Sequence, residues 1–193
     1  MFSHDFLKDF VHTIKQINPI DIENMASLIL KTITFKGRLF ILGVGGSAGN
    51  ASHAVNDFRK LVNIEAYAPT DNVCELTART NDEGWDSVFL EWLKVSRLNN
   101  RDSILILSVG GGDLEKNVSV NLINSANYAK EVGCNVLCIV GRYGGEIKKI
   151  ANCTVHIPLL HETLVTPITE SAQSVILHLL VTHPLLAKNP TKW

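Results

Sequence analysis

Residues 38–57, RLFILGVGGSAGNASHAVND, decide how the rest of the chain is read. Four consecutive apolar residues, Leu39 to Leu42, predict a short buried strand; Gly43, Gly45 and Gly46 predict a sharp turn; a helix is expected to begin near Ser47. Glycine lets a backbone come close to a ligand, and the first N–H groups of a helix have no partner within it, so this kind of unit suits an anion. His53 and Asp57 are four apart, which puts them on one helix face a single turn apart. The pair suits a metal or acid–base chemistry, and also a plain surface hydrogen bond. The glycines suit a phosphate, and also nothing more than a tight turn. The ligand reading rests on the two occurring together.

Upstream, Phe6, Phe10, Ile14 and Ile17 recur at helical spacing, and Asn18-Pro19 then closes one helix and opens another, with Asn18 as N-cap and Pro19 in the first turn. Ile22, Met25, Ile29 and Ile33 carry the second helix toward Gly37. This leading pair either covers an edge of a sheet or packs on another subunit. Downstream, residues 62–68 are expected to form a second strand, followed by a polar loop, TDNVCELTARTNDEGWDS, in which Asn81 and Asp82 are candidates for contacting sugar hydroxyls. A helix is predicted from about 87 to 98. Residues 103–109, SILILSV, form a third strand, followed by Gly110, Gly111, Gly112 and Asp113 and a helix to about Val132. Residues 135–140 form a fourth strand, GRYGG (141–145) turns into a short helix, and residues 153–157 form a fifth strand. Strands that alternate with helices and are apolar throughout imply an α/β fold with a mostly parallel sheet covered on both faces. Its ligand site is expected at the carboxyl ends of the strands.

The last helix is expected to open with Thr166 as N-cap and Pro167 at its first position, and to end near His183 before Pro184. Glu170, Ser174 and His178 fall on one face of it against an apolar background. Burying Glu or His there without a partner is costly, so these residues either meet a ligand or bond to neighbours in a core or at a subunit interface. Lys plus Arg (18) balance Asp plus Glu (19), so no global field recruits nucleic acid or an anionic membrane. The four cysteines show neither CxxC nor a disulfide-framework spacing and read as buried thiols of a reducing compartment. MFSHDFLKDF lacks the pattern of a secretory leader, and no apolar stretch is expected to reach bilayer-spanning length, so the expectation is a cytoplasmic protein. At 193 residues the chain suits one domain.

Together, GVGGS (43–47), HxxxD (His53, Asp57), ND (Asn81, Asp82), the strand ending at Ser108, GRYGG and the closing TPITES…LH resemble the sugar isomerase (SIS) domain family over nearly the whole chain. Within that family they are similar to the phosphoheptose isomerases, which convert sedoheptulose 7-phosphate to D-glycero-D-manno-heptose 7-phosphate for nucleotide-heptose (lipopolysaccharide or capsule precursor) biosynthesis. The resemblance implies a three-layer α-β-α sandwich around a five-stranded parallel sheet. It implies one SIS domain over 1–193, with a helical pair at 1–36 and an α/β core at 37–193, assembled as a homotetramer with sites at subunit interfaces. It further implies one zinc ion per subunit, held by His53, Asp57, Glu170 and His178, and phosphate binding by Ser47 and the loop of Ser108, Gly110, Gly111 and Gly112. Asp57 and His178 would handle the protons that move between C1 and C2.

The chain departs from the family pattern in three places. The family's Glu is Asp57 here, its Gln is Glu170, and its serine-rich phosphate loop is SVGGGD, with Val109, Gly110 and Asp113 in place of hydroxyls. A carboxylate facing a phosphate is repulsive, so Asp113 must turn away or the phosphate must sit differently, with Arg142, Lys116 or Arg59 as sources of positive charge. Glu170 and His178 are eight residues apart, about 12 Å along a helix, so they share one ion only if both side chains reach toward the midpoint. Otherwise a water or a substrate oxygen takes the vacant position. Two rival readings stay open on sequence grounds: a non-catalytic SIS module that senses a sugar phosphate or binds a protein, and an isomerase of another phosphosugar.

Overall fold

In a computed structural model that describes residues 1–158 and 160–191, two helices lead the chain, α1 (Phe2–Gln16) and α2 (Pro19–Thr34). The Asn18 side chain accepts the Ile20 N–H at 3.1 Å and Pro19 sits in the first turn, as the sequence predicts. There follow β1 (Leu39–Gly43), α3 (Gly46–Asp57), β2 (Ala66–Tyr67), α4 (Val73–Asp82), α5 (Val88–Val95) and β3 (Ser103–Ser108). The chain continues with α6 (Val120–Glu131), β4 (Asn135–Val140), α7 (Gly145–Ile150), β5 (Cys153–His156) and α8 (Val165–Thr182). All five strands are parallel, in the order β2-β1-β3-β4-β5.

A parallel strand covered on both faces needs an apolar residue at every position, which is why LFIL, SILILS and NVLCIV run without polar alternation. Leu39, Ile41, Leu105, Leu107, Leu137 and Ile139 enter one core with residues of α2, α3 and α8. Phe40, Leu42, Ile104, Ile106, Val136 and Cys138 enter a second core with residues of α5, α6 and α7. This is the expected α-β-α sandwich. α2 packs beside β5 and α1 against α8, so the leading pair covers the β5 side of its own chain's sheet.

The strand order also sets where a ligand fits. β1 and β3 are neighbours, with Gly43 opposite Leu107, yet the chain leaves β1 for one side of the sheet and β3 for the other. Such a switch point opens a crevice at the carboxyl ends of the strands, and both glycine turns lie there. The opposite ends are bolted by Asp102, which is buried. It accepts from the Arg38 backbone (2.9 Å) and guanidinium (2.7 and 3.2 Å) and from Asn99. Asp102 in turn pushes the Arg38 guanidinium pKa up.

Several sequence expectations need correction. The second strand is only Ala66–Tyr67, because α3 runs on as a wide π-helical turn (Phe58–Val62) until Asn63 takes a left-handed conformation (φ 60°). The polar segment after β2 is mostly helix: Asn72 caps α4, and Arg79 pairs with Glu75 (2.9 Å) and Glu83 (3.0 Å) one turn away on either side. Asn81 and Asp82 therefore occupy a last helical turn and not a loop. α6 starts at Val120, well after the glycines, because Asp113 and Val118 pair across a small loop. α8 starts at Val165, led in by a 3-10 turn (Glu162–Leu164), and Pro167 falls in its first turn, where the missing N–H costs nothing. The expectation of no bilayer-length apolar stretch also meets an exception. Glu162–Thr182 has the length and mean hydropathy (1.3), but half of it is buried inside the fold, as a core helix would be. Of the C-terminal tail, the backbone of Lys188 and Asn189 bonds to the Leu61 carbonyl, while Lys192 and Trp193 lie outside the described residues.

Candidate functional site

α3 and α8 lie side by side and run in the same direction, their close approach allowed by buried Ala51, Ala54 and Ala172. Two rungs join them. In the first, Ser47 Oγ and Asn50 Nδ2 both donate to Gln173 Oε1, at 3.0 and 3.1 Å, and Asn50 Nδ2 also reaches the Glu170 carbonyl at 2.9 Å. In the second, His53 Nε2 lies 3.0 Å from His178 Nε2, with the two rings nearly perpendicular at 83°. The rungs match because His53 is six residues beyond Ser47 and His178 five beyond Gln173, about 9 and 7.5 Å of helical rise.

Asp57, one turn below His53, completes a cluster. Its Oδ2 is 3.0 Å from His53 Nε2 and 3.6 Å from His178 Nε2, and its Oδ1 accepts from Asn56 at 3.0 Å. The carboxylate is 8% exposed and both imidazoles are about half exposed. Donors on a tetrahedral zinc with bonds of about 2.0–2.2 Å sit about 3.3–3.6 Å apart, close to the spacings here. Two imidazoles and one carboxylate are also the donor chemistry of a catalytic zinc that keeps its fourth position open. The residues present fit such an ion.

Glu170 is not in this cluster. It stands two turns before His178, with its carboxylate packed on the start of α3, where a Cβ on Gly46 would come within 2.3 Å of Oε2. The structure thus brings together three of the four residues expected at the metal. Ser47 is 1% exposed, and its hydroxyl donates to Gln173. Ser108 is also buried; its Oγ accepts the Gly111 N–H at 3.0 Å and so shapes the glycine loop. Gly111 and Gly112 are buried, and Gly110 lines a cleft above them. Asn81 and Asp82 are exposed and bonded to each other at 2.7 Å. Asp113 turns onto its own loop, accepting from the Lys116 N–H (3.0 Å) and pairing with Nζ (3.1 Å), which holds its pKa below the ordinary carboxylate value. Arg59 is engaged elsewhere, donating to the Ala66 carbonyl and lying over the Tyr67 ring.

Sequence reasoning missed Gln173, Asn50 and Asp71, the last of which accepts a short hydrogen bond from Ser52 beside His53. An amide within the apolar run AQSVILHLL was the available signal for Gln173. Its Nε2 is buried without a partner among the described residues, a cost tolerated where the Oε1 serves two donors.

Comparison with known proteins places the chain in a family. A protein-family model described as SIS domain matches residues 4–141. The lincomycin biosynthesis protein LmbN of Streptomyces lincolnensis is 34% identical over 170 residues, which is 83% of this chain but 58% of that protein. A phosphoheptose isomerase of Syntrophotalea carbinolica is 29% identical over 178 residues, covering 90% of this chain and 85% of its own. Among solved structures, phosphoheptose isomerase GmhA from Neisseria gonorrhoeae superposes with a TM-score of 0.78 at 21% identity, over 94% of this chain and 97% of that one. The family match over most of the chain, with the parallel sheet and its glycine turns, establishes that the protein belongs to the SIS domain family.

Proposed function

We propose that the protein is a phosphoheptose isomerase that interconverts sedoheptulose 7-phosphate and D-glycero-D-manno-heptose 7-phosphate, with His53, Asp57 and His178 as its reaction centre. The observation that carries this reading is the cluster itself: two imidazoles and a nearly buried carboxylate, brought within 3.6 Å by helices remote in the sequence. Phosphoheptose isomerases among its relatives supply the substrate class.

Aldose–ketose isomerisation moves a proton between C1 and C2, so it needs groups that take and return a proton, and a grip on the far end of the substrate. Asp57 and His178 are assigned the proton transfers, since both face one point from two helices. Zinc, if held by His53, Asp57 and His178, would supply Lewis-acid polarisation of the sugar carbonyl. At the other end of α3 the backbone N–H groups near Ser47, with the Ser108 hydroxyl and the glycine loop, are assigned to phosphate. The rise of about 9 Å from Ser47 to His53 suits a substrate with its carbonyl at one end and its phosphate at the other.

The half-exposed imidazoles leave room for a neighbouring subunit, and a homotetramer with sites at its interfaces is part of this reading. Asn81 and Asp82, on a helix with no buried residue, would reach sugar hydroxyls across such an interface. A cytoplasmic setting suits four cysteines that are all free. The test is to incubate the purified chain with sedoheptulose 7-phosphate and follow the sugar by NMR, before and after treatment with a chelator. Heptose 7-phosphate should form, stop forming after chelation and resume with added zinc; absence of conversion by the untreated protein overturns the proposal.

A further inference from the structure

A cleft of about 290 Å³ opens at the amino ends of β1, β3 and β4, the edge of the sheet opposite the two glycine turns. It lies close to the lower end of the range for small-molecule sites, about 300 Å³. Lys31 and Phe35 come from the end of α2, Asn100 and Arg101 from the turn before β3, and Asn135 from the start of β4, so α3 and α8 take no part in its lining. The walls are braced against each other. Buried Thr32 Oγ1 lies 2.6 Å from Ser103 Oγ, tying α2 to β3, and a Cβ on Gly37 would come within 1.8 Å of the Arg101 carbonyl oxygen. The Arg101 N–H donates to Asn99 Oδ1 at 3.1 Å, which fixes the base of that side chain.

Among the described residues the lining holds two cations and no carboxylate. Lys31 makes no ion pair there; its Nζ lies 6.0 Å from the centroid of the Phe35 ring, which is 55% exposed. The Arg101 guanidinium touches only Asn99 Oδ1, from Nε at 3.4 Å, so both its outer nitrogens are without an acceptor among the described residues. The side-chain amides of Asn100 and Asn135 are likewise without a partner there. Two unneutralised like charges on one cleft favour an anion. The free edge of a guanidinium suits two oxygens of a phosphate, an exposed ring beside a cation suits a second flat ring, and side-chain amides suit its nitrogen and oxygen atoms.

We propose that this cleft binds a nucleoside phosphate, with Lys31 and Arg101 taking the phosphate, Phe35 stacking on the base, and Asn100 and Asn135 meeting its polar edge. Open α/β sheets bind their main ligand at the carboxyl ends of the strands, so a nucleotide at the amino ends is a second ligand and not the substrate. The inference goes beyond the isomerase reading and survives its failure, because it is read out by binding and not by turnover.

The test titrates the full chain with AMP at low salt by calorimetry, in wild type and in Arg101→Gln, Phe35→Ala and Lys8→Gln. Arg101→Gln should weaken binding about tenfold or more, the loss of a charge-assisted contact. Phe35→Ala should weaken it about fivefold or more, the loss of a stacked base. Lys8→Gln removes an equal charge from α1, outside the cleft, and should leave binding unchanged. All three positions are exposed, so the variants are expected to fold. An excess of sedoheptulose 7-phosphate should leave AMP bound. Failure of the wild type to bind AMP, wild-type affinity in Phe35→Ala, or a loss in Lys8→Gln equal to that in Arg101→Gln overturns the proposal. Displacement of AMP by sedoheptulose 7-phosphate also overturns it, since the nucleotide would then occupy the substrate's own site.

Discussion

Replacing Gly111 with Ala tests directly how the loops after β3 and β4 interlock, with the Ile147 and Glu146 N–H groups donating to the Gly111 and Gly112 carbonyls. The new Cβ would lie 1.8 Å from the Gly144 oxygen and 2.2 Å from its carbon, both backbone atoms with no rotamer to escape into. Gly111 also sits at φ +75°, where an L side chain costs about 1–2 kcal/mol. Forcing the loops apart adds about 1–3 kcal/mol of overpacking, and it stretches the Ile147-to-Gly111 and Glu146-to-Gly112 bonds that hold them. The expected loss is about 2–5 kcal/mol, which for a chain of this size lowers Tm by roughly 4–20 °C. Gly49→Ala is the matched control. It lies inside α3, nothing stands within 4 Å of its Cβ position, and it should stabilise by about 0.5–1 kcal/mol. Urea denaturation of the two variants beside wild type measures both signs. If Gly111→Ala unfolds within 0.5 kcal/mol of wild type, roughly the effect of an ordinary surface substitution, the interlock is not as described.

Two further predictions concern the framework. Asp102→Ala leaves Arg38 and the amides around it without their buried acceptor and should cost about 3–5 kcal/mol by chemical denaturation; a loss under about 1 kcal/mol would show that the bolt is ornamental. Burial pushes the Cys134 and Cys138 thiols up to about 12 from an ordinary 9.0. The unfolded thiols therefore ionise first, so their contribution to stability is complete below pH 9 and is lost as pH rises from 9 toward 12. Cys138→Ala should flatten this alkaline decline relative to wild type in urea midpoints taken across that range, and an identical slope would remove the thiol as its cause.

What was legible in the sequence follows from how each element is stabilised. β1, β3 and β4 could be read because strands buried on both faces must be apolar at every position. α4 could not: it buries no residue and is held by Asn72 and the Glu75–Arg79–Glu83 charges, which look the same as a solvated loop. The expected second strand, 62–68, runs too long because Val62, the last residue of the π-helical turn, and Ile64 extend the alternation of Ala66 and Ala68 backwards. His53 and Asp57 announced themselves by four-residue spacing, and His178 by standing on an apolar helix. That His53 and His178 meet depends on the axial register of α3 against α8, set by Gln173 bonding to Ser47 and Asn50, and no spacing within one helix encodes that. The same register leaves Glu170 against Gly46, two turns from the metal-type cluster.

The central claim is that these two helices form a proton-transfer centre, and steady-state kinetics of Asp57→Asn with sedoheptulose 7-phosphate tests it most directly. The account predicts a fall in kcat of about a hundred- to ten-thousandfold, with substrate affinity changed far less. An Asp57→Asn protein that turns over at the wild-type rate would contradict it.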